Sequence, residues 1–249
     1  LLSHTSGLPA FMDLTHCTDD EERLKQISQA PRVFEPGSRV LYSDLNFIVL
    51  GLIAQEAATM RLDELFAREV AQPLGLHAQF NPPAGIVAAA TEWDESTQKY
   101  WCGTVHDENA RAMGGIAGHA GLFARVADVL VWGQALLNQG MGPRGPWLSP
   151  AAVHALMQCR TQGLAGEKRT WGFQRPFPQS SAGDLLSSEA IGHTGFTGTS
   201  VWIDGVQDAV LVLLTNRVHY GRDNQEMLRL RPLFHNVAMT VLSGHIGEF

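Results

Sequence analysis

Only three of the 249 residues are cysteine, Cys17, Cys102 and Cys159. They form an odd, widely spaced set with no C-x-x-C pair, which excludes a disulfide framework and a cysteine zinc site and leaves scattered buried thiols as the expectation. Basic runs are also lacking. Lys and Arg number 18 against 25 Asp and Glu, giving a net charge of −7 and a pI near 5.8. Such a chain has no electrostatic footprint for nucleic acid or an anionic membrane, so its expected partner is a small molecule. No apolar stretch reaches membrane-spanning length, and no segment has the build of a signal peptide. Internal repeats and low-complexity segments are absent. The first residue is Leu1 rather than methionine, and the chain is accordingly expected to be a processed product or a fragment.

What is present suits an ordinary globular protein: 45% hydrophobic residues and 25 glycines, with enough length for one large domain or two interleaved lobes. Thr18 with Glu21 three residues on reads as a capping box opening a helix to about Gln29. Pro31, Pro36 and Gly37 close that region. Val40 to Asp44 reads as extended, followed by a run from Leu45 to Ala54 that is apolar nearly all round, as in a buried helix capped by Ser43 or Asp44. Further helices are expected near 62–71, stopping at Pro73-Leu74-Gly75, from Asp128 as cap to about Asn138, and from a Ser149 cap with Pro150 at the first position to about Met157. Residues 80–100 read as a long surface excursion. Trp171-Gly172-Phe173 reads as a short strand, and 178–190 as a polar connection. Residues 199–204 and 209–215 should pair as an antiparallel hairpin across Asp204-Gly205. The last helix, about Asn224 to Leu242, should be interrupted or offset at Pro232. Helices early and a hairpin late make an α+β arrangement, a mostly helical lobe over 1–165 and a sheet portion over 166–249 within one domain. The tryptophans Trp93, Trp101, Trp132, Trp171 and Trp202 serve mainly as core or loop anchors.

Chemistry concentrates at Gly192-His193-Thr194-Gly195 and the following Phe196 to Ser200. A histidine beside glycines, running into β-favouring residues, is a loop turning into a strand that can set His193 at a sheet rim, where a ligand approaches bare backbone. Tyr42 would stand just before the first turn of a rigid central helix. The glycine-rich segment 114–123 has so few side chains that it must pass close to something. His106, Asp107 and His119 have ligand chemistry, but their spacing matches no metal signature; ordering hydrogen bonds or substrate contacts suit them better. Ser96-Thr97-Gln98-Lys99 spells S-x-x-K within the irregular excursion, where no buried helix presents the two side chains together. Ser3, His4 and Ser6 read as turn-makers.

Leu-Leu-Ser-His-Thr-Ser-Gly-Leu-Pro at the start, Tyr42-Ser43-Asp44 and Gly-His-Thr-Gly, in this order, resemble the serine hydrolase family of class C β-lactamases, penicillin-binding proteins and related esterases. The block from Val105 to Ala110 followed by Gly114 to Phe123 is similar to a subgroup of the penicillin-binding protein 4B type. The resemblance implies a β-lactamase/transpeptidase-like fold, an antiparallel sheet flanked by helices, and an acyl-enzyme mechanism on an ester, β-lactam or D-alanyl peptide with no cofactor or metal. Carried over, Tyr42 would be general base or proton shuttle, and His193 would orient substrate or relay a proton to the leaving group. The backbone around Phe196 to Thr199 would offer an oxyanion amide. Asp44, Gly195, Thr197, Thr199, His106 and His119 would line the substrate. Asp44 stands where most of the family has Asn, replacing an amide donor with an acceptor. The family's S-x-x-K precedes the Leu-Leu-Ser-His segment, so the N-terminal strands and nucleophile helix are expected to lie outside this chain, leaving it inactive by itself, with uncovered faces that favour self-association. Two other readings stand beside this: a non-catalytic penicillin-binding-protein-like binding or sensing module, and a metal-assisted hydrolase using His106 and His119.

Overall fold

The computed structural model describes residues 1–244. After an opening turn in which the His4 amide donates to Leu1 O (2.9 Å), α1 spans Asp20–Gln29. Its cap is Asp19, whose carboxylate accepts from Glu22 N–H, while Glu22 reaches back to the Thr18 amide (2.9 Å). The reciprocal pattern therefore sits one residue later than Thr18 and Glu21 suggest, because Asp caps as well as Thr and here has the extended backbone.

Helix α2, Asp44–Ala58, follows Tyr42 directly, with Ser43 at its cap position. Ser43 Oγ donates to Pro9 O (2.6 Å) instead of capping the helix. The apolar sequence of α2 is only half used: Leu45, Ile48 and Leu52 are buried with Leu8, Leu14, Cys17 and Ile27, whereas Ile53 is 50% exposed. The segment after it is one bent rod, α3 (Leu62–Phe66) running through a π-helical turn (Ala67–Ala71) into α4 (Gln72–Leu74). It passes through Pro73 and ends on left-handed Gly75 (φ 68°), within the expected Pro73-Leu74-Gly75 stop. Proline in a first-turn position sacrifices no helical bond, and the π turn provides that restart.

The excursion is not featureless. Strand β1 (Gln79–Phe80) pairs across the chain with β4 (Leu122–Phe123), and β2 (Trp93–Asp94) forms a small hairpin with β3 (Lys99–Tyr100). Between them α5 covers Glu108–Ala112. Helix α6 spans Val126–Leu137, and Asp128 stands at its third position rather than at its cap, accepting from the Arg125 amide (3.0 Å). A turn joins β5 (Met141–Gly142) to β6 (Gly145–Pro146). Then α7 runs Pro150–Met157 with Ser149 accepting from Ala152 N–H, as its sequence dictates. Trp171-Gly172-Phe173 is a turn rather than a strand: Gly172 has φ +85°, and isolated bridges join Arg169 to Gln174 and Gln174 to Gly192.

The main sheet is antiparallel, in the order β7 (Ile191–Thr194), β8 (Ser200–Asp204), β9 (Ala209–Leu213). His193 faces Val201 and Trp202 faces Gly192 and Leu211 in register. The β7 side chain row and α6 share a core of Leu136, Val153, Phe173, Ile191 and Ile203. On the other side, Trp202, Leu211 and Met239 pack with Ala182 and Leu186. Helix α8, Glu226–Leu242, continues unbroken through Pro232. The lost bond there is offset by anchoring on both sides of the proline: Arg231 Nη2 donates to Gly195 O (2.7 Å), and His235 bridges Ser181 O and Ser200 Oγ. Its outer face carries exposed Leu228, Leu233, Val237 and Val241. Of the cysteines, Cys17 is buried but Cys102 is exposed, against the expectation for the latter.

Candidate functional site

A cleft of about 1890 Å³ is walled by the start of α2, residues 104–125, residues 167–174, β7 and the loop after it, and the first turn of α8. All eight residues singled out from the sequence line it: Tyr42, Asp44, His106, His119, His193, Gly195, Thr197 and Thr199. What brings the two halves together is a backbone contact. A Cβ on Gly118 would lie 2.1 Å from Phe47 O and 2.9 Å from Gly51 N, so the glycine-rich segment lies flat against α2, and only glycine permits that approach.

Tyr42 and His193 meet at the floor, ring centroids 5.7 Å apart. His193 Nδ1 lies 2.9 Å from Thr194 O and Nε2 lies 3.1 Å from Arg169 Nη1. A carbonyl only accepts and a guanidinium only donates, so the imidazole carries its proton on Nδ1 and keeps a lone pair on Nε2. Burial first, and then the Arg169 charge, push its pKa down to about 4. Arg169, 2% exposed, also pairs with Glu167 and stands 5.6 Å from the Tyr42 ring centre. The Tyr42 phenol and the Asp44 carboxyl interact electrostatically. Burial, followed by the Asp44 charge, raises the phenol pKa, with Arg169 opposing. Burial also raises Asp44, against the Tyr42 hydroxyl. Beneath Tyr42 lies His4, 1% exposed, its ring 4.7 Å from that of Tyr42. His4 Nδ1 accepts from the Ser43 amide (3.1 Å) and stands 3.2 Å from Asn46 Nδ2. Burial, then the charges of Arg169 and His193, push its pKa to about 3.

Across the cleft, His119 Nε2 lies 2.8 Å from Asp107 Oδ1, and Asp107 also caps α5 by accepting from Ala110 N–H. Burial acts to raise the Asp107 carboxyl, but the His119 bond and charge outweigh it and leave it lowered. His106 Nε2 is 3.1 Å from Glu92 Oε2, and its ring stacks 5.7 Å from Phe196. Glu92 in turn takes Arg222 (2.7 Å), which also pairs with Glu108. The two histidines thus have separate carboxylate partners, and among the described residues no group of three or more His, Cys, Asp or Glu has the geometry to hold a metal ion.

His193 sits at the end of a strand rather than in a loop leading to one; residues 195–199 form the tight loop between β7 and β8. Every carbonyl of that loop is taken. Gly195 and Thr199 accept from Arg231, Phe196 from Arg217 Nε, Thr197 from the Arg217 amide and Gly198 from Thr215. The Gly195 amide is spent on Thr199 O (2.8 Å). Ser96 is remote from all this: its hydroxyl donates to Asp94 (2.8 Å) in the β2–β3 turn, and neither it nor Lys99 lines the cleft. Arg169, Glu167, Asp107 as a carboxylate partner and His4 as part of the floor were not singled out by sequence. Arg169 meets His193, Asp107 meets His119 and His4 meets Ser43 across 12 to 39 residues of chain, and no local pattern marks them.

The fold is of the β-lactamase/transpeptidase-like class. Residues 1–235 match the family model described as Beta-lactamase, and the chain belongs to that family. It is 32% identical over 248 residues to the "Putative D-alanyl-D-alanine carboxypeptidase" of Escherichia coli (strain K12), covering 88% of this chain and 56% of that one; the counterpart of Salmonella agona is 33% identical with the same coverage. The chain thus spans little more than half the length of these relatives. Among solved structures, EstCE1, a hydrolase with promiscuous acyltransferase activity, superimposes with a TM-score of 0.67 at 25% identity, covering 94% of this chain and 70% of that one. A β-lactamase from Mycobacterium bovis (TM-score 0.66, 21% identity, 97% and 72% covered) and a penicillin-binding protein homologue from Caulobacter crescentus (0.67, 16%, 96% and 70%) share the fold.

Proposed function

We propose that this cleft carries out acyl transfer to water through an acyl-enzyme, on an ester, a β-lactam or a D-alanyl peptide, with the attacking serine and its lysine supplied by polypeptide outside these 249 residues. The observation that carries the reading is the composition of the wall. Tyr42 and His193 stand side by side, yet among the described residues lining the cleft there is no serine, cysteine or lysine. In this reading Tyr42 takes the serine proton and His193 orients the substrate or relays a proton to the leaving group. The raised phenol pKa fits a shuttle that waits for a second cation beside Arg169 before it acts as a base. The amides of Phe196, Thr197 and Thr199 donate to no group of the described chain, which suits them to a developing oxyanion. Asp44, Thr197, Thr199, His106 and His119 contact the rest of the substrate. The relatives' description as carboxypeptidases favours a peptide substrate.

A fluorophosphonate serine probe followed by intact-mass analysis tests this. The 249-residue chain should stay unlabelled, while the longest reading frame that contains it should gain one adduct on a serine outside these residues. An adduct on this chain refutes the assignment, with Ser96 the first site to map. The bare wall equally suits a binding or sensing module that keeps the cleft without a nucleophile, and silence of the longer frame selects that reading. The exposed apolar face of α8 is proposed to drive self-association of the isolated chain, to be read as concentration-dependent sedimentation.

A further inference from the structure

We infer that Arg169 is the positioning residue of this site: through its guanidinium bond to His193 Nε2 it fixes one neutral tautomer of that imidazole, and it supplies the cation that faces Tyr42. The inference deepens the acyl-transfer reading and rests on it for its catalytic meaning only.

The geometry is specific. Three elements converge on one guanidinium. Nη1 donates to His193 on β7 (3.1 Å), Nη2 pairs with Glu167, and Cζ lies 5.6 Å from the centre of the Tyr42 ring ahead of α2. The backbone is fixed as well, since the Arg169 amide donates to Thr161 Oγ1 (2.8 Å) and its carbonyl accepts from Arg160 N–H (2.7 Å). A planar fork held at the backbone and by a carboxylate is rigid in a way a lysine ammonium is not. Its Nε is buried without a hydrogen-bond partner, so the side chain tolerates an unsatisfied donor in order to hold this pose, a cost that surface placement avoids.

The chemical consequence concerns which nitrogen can work. With Nη1 on Nε2 and Thr194 O on Nδ1–H, neither nitrogen faces an ambiguous partner, and the proton stays on Nδ1. The charged groups around His193 are few: Arg169 and Glu167 from the segment before β7, Tyr42 with Asp44 from the start of α2, and His4 below. Arg169 is the cation that bears on both His193 and Tyr42, opposing a proton on the first and favouring ionisation of the second. One residue thus biases the two in the direction a tyrosine base and a neutral histidine relay both require.

The test is imidazole ¹⁵N NMR of this chain, wild type, Arg169→Gln and Arg169→Lys, titrated from pH 8 to the lowest pH at which the fold persists. Wild type should show a single Nδ1-protonated tautomer. Arg169→Gln should raise the His193 midpoint by roughly one pH unit and mix the tautomers. Arg169→Lys should hold the midpoint within a few tenths of a pH unit and keep the Nδ1-protonated tautomer, because an ammonium keeps the charge and likewise only donates. Unchanged tautomer and midpoint in folded Arg169→Gln overturn the inference. Should that variant fail to fold, Arg169→Met takes its place, and an unchanged tautomer and midpoint there overturn the inference. A purely structural arginine would lower the melting temperature and move neither signal. No substrate or nucleophile enters this measurement, so failure of the serine-probe experiment and failure of this one are separate events.

Discussion

Acid should unfold this protein earlier than its carboxylates alone dictate, because two neutral histidines are locked under the cleft. His4 is held at about 3 and His193 at about 4, against an ordinary value near 6.5. In the unfolded chain both take a proton as the pH falls through 6.5; in the folded chain neither does until 4 or below. The unfolded state therefore binds more protons across that window, and stability falls as pH falls, beginning at 6.5. A tenfold rise in proton concentration across that window is worth about 1.4 kcal/mol for each such group, so each histidine costs about 2 kcal/mol by pH 5 and about 3 kcal/mol by pH 4, His4 continuing to lose below that. His106 and His235 are lowered by burial too and act with the same sign, whereas raised Asp44 acts oppositely above 3.8. The two main groups share Arg169 and feel each other, so their sum is an upper bound. Even about 4 kcal/mol by pH 5 is a large part of the 5–15 kcal/mol typical of a domain. Urea unfolding followed by tryptophan fluorescence at half-unit steps from pH 7.5 to 4.5 reads this directly. A urea midpoint that stays flat from pH 7 to pH 5, with an unchanged slope, would refute the reasoning.

Three further outcomes follow from the contacts of Gly118, Asp107 and Arg222. Gly118→Ala drives a Cβ to 2.1 Å from Phe47 O and should cost at least about 3 kcal/mol in urea unfolding or prevent folding, whereas Gly205→Ala, with nothing within 4 Å, should stay within about 0.5 kcal/mol. Asp107→Ala removes both the His119 partner and the α5 cap, while Asp107→Asn keeps an acceptor for Ala110 N–H; the alanine variant should be the less stable by about 1 kcal/mol in the same assay. Arg222→Ala frees Glu92 and Glu108 together, and limited proteolysis within 84–90 should speed up roughly tenfold as local opening becomes easier; an unchanged cleavage rate would mean the segment is held by other bonds.

Legibility tracked how local the deciding force was. The Ser149-Pro150 cap, the 200–213 hairpin and the place of Tyr42 before α2 depend on neighbours in sequence, and each appears where the residues put it. The cap of α1 slipped because Asp19, Asp20, Glu21 and Glu22 compete for the same amides, whereas at α6 the single acid, Asp128, sits three residues in and reaches back to the Arg125 amide instead of standing at the cap. The π-helical turn that carries the chain past Pro73 has no sequence pattern of its own. In the candidate site, the motif residues were readable since each sits beside glycine or at a helix start. Arg169 and His4 were not: an arginine in Lys168-Arg169-Thr170 looks like any surface cation until β7 folds over it, and His4 looks like a turn residue until α2 presents Ser43 and Asn46 to its ring.

The tie between Arg222 and Glu92 joins residues 130 positions apart, with His219 stacked on Tyr100 beside it at 4.3 Å. A bond of that span forms late, since the whole stretch between must first be arranged for it to gain more than the closure costs. The neighbourhood of Glu92 is thus a recorder of folding order: the Thr91 amide, which donates to Trp101 O (2.7 Å), should be among the last to gain protection in pulse-labelled refolding, after the helices of the first half and after the β8–β9 hairpin. The wall of the cleft nearest Phe196 comes into being only with that final step, so a kinetically trapped chain would keep its sheet and its Tyr42 while having no closed place for a ligand.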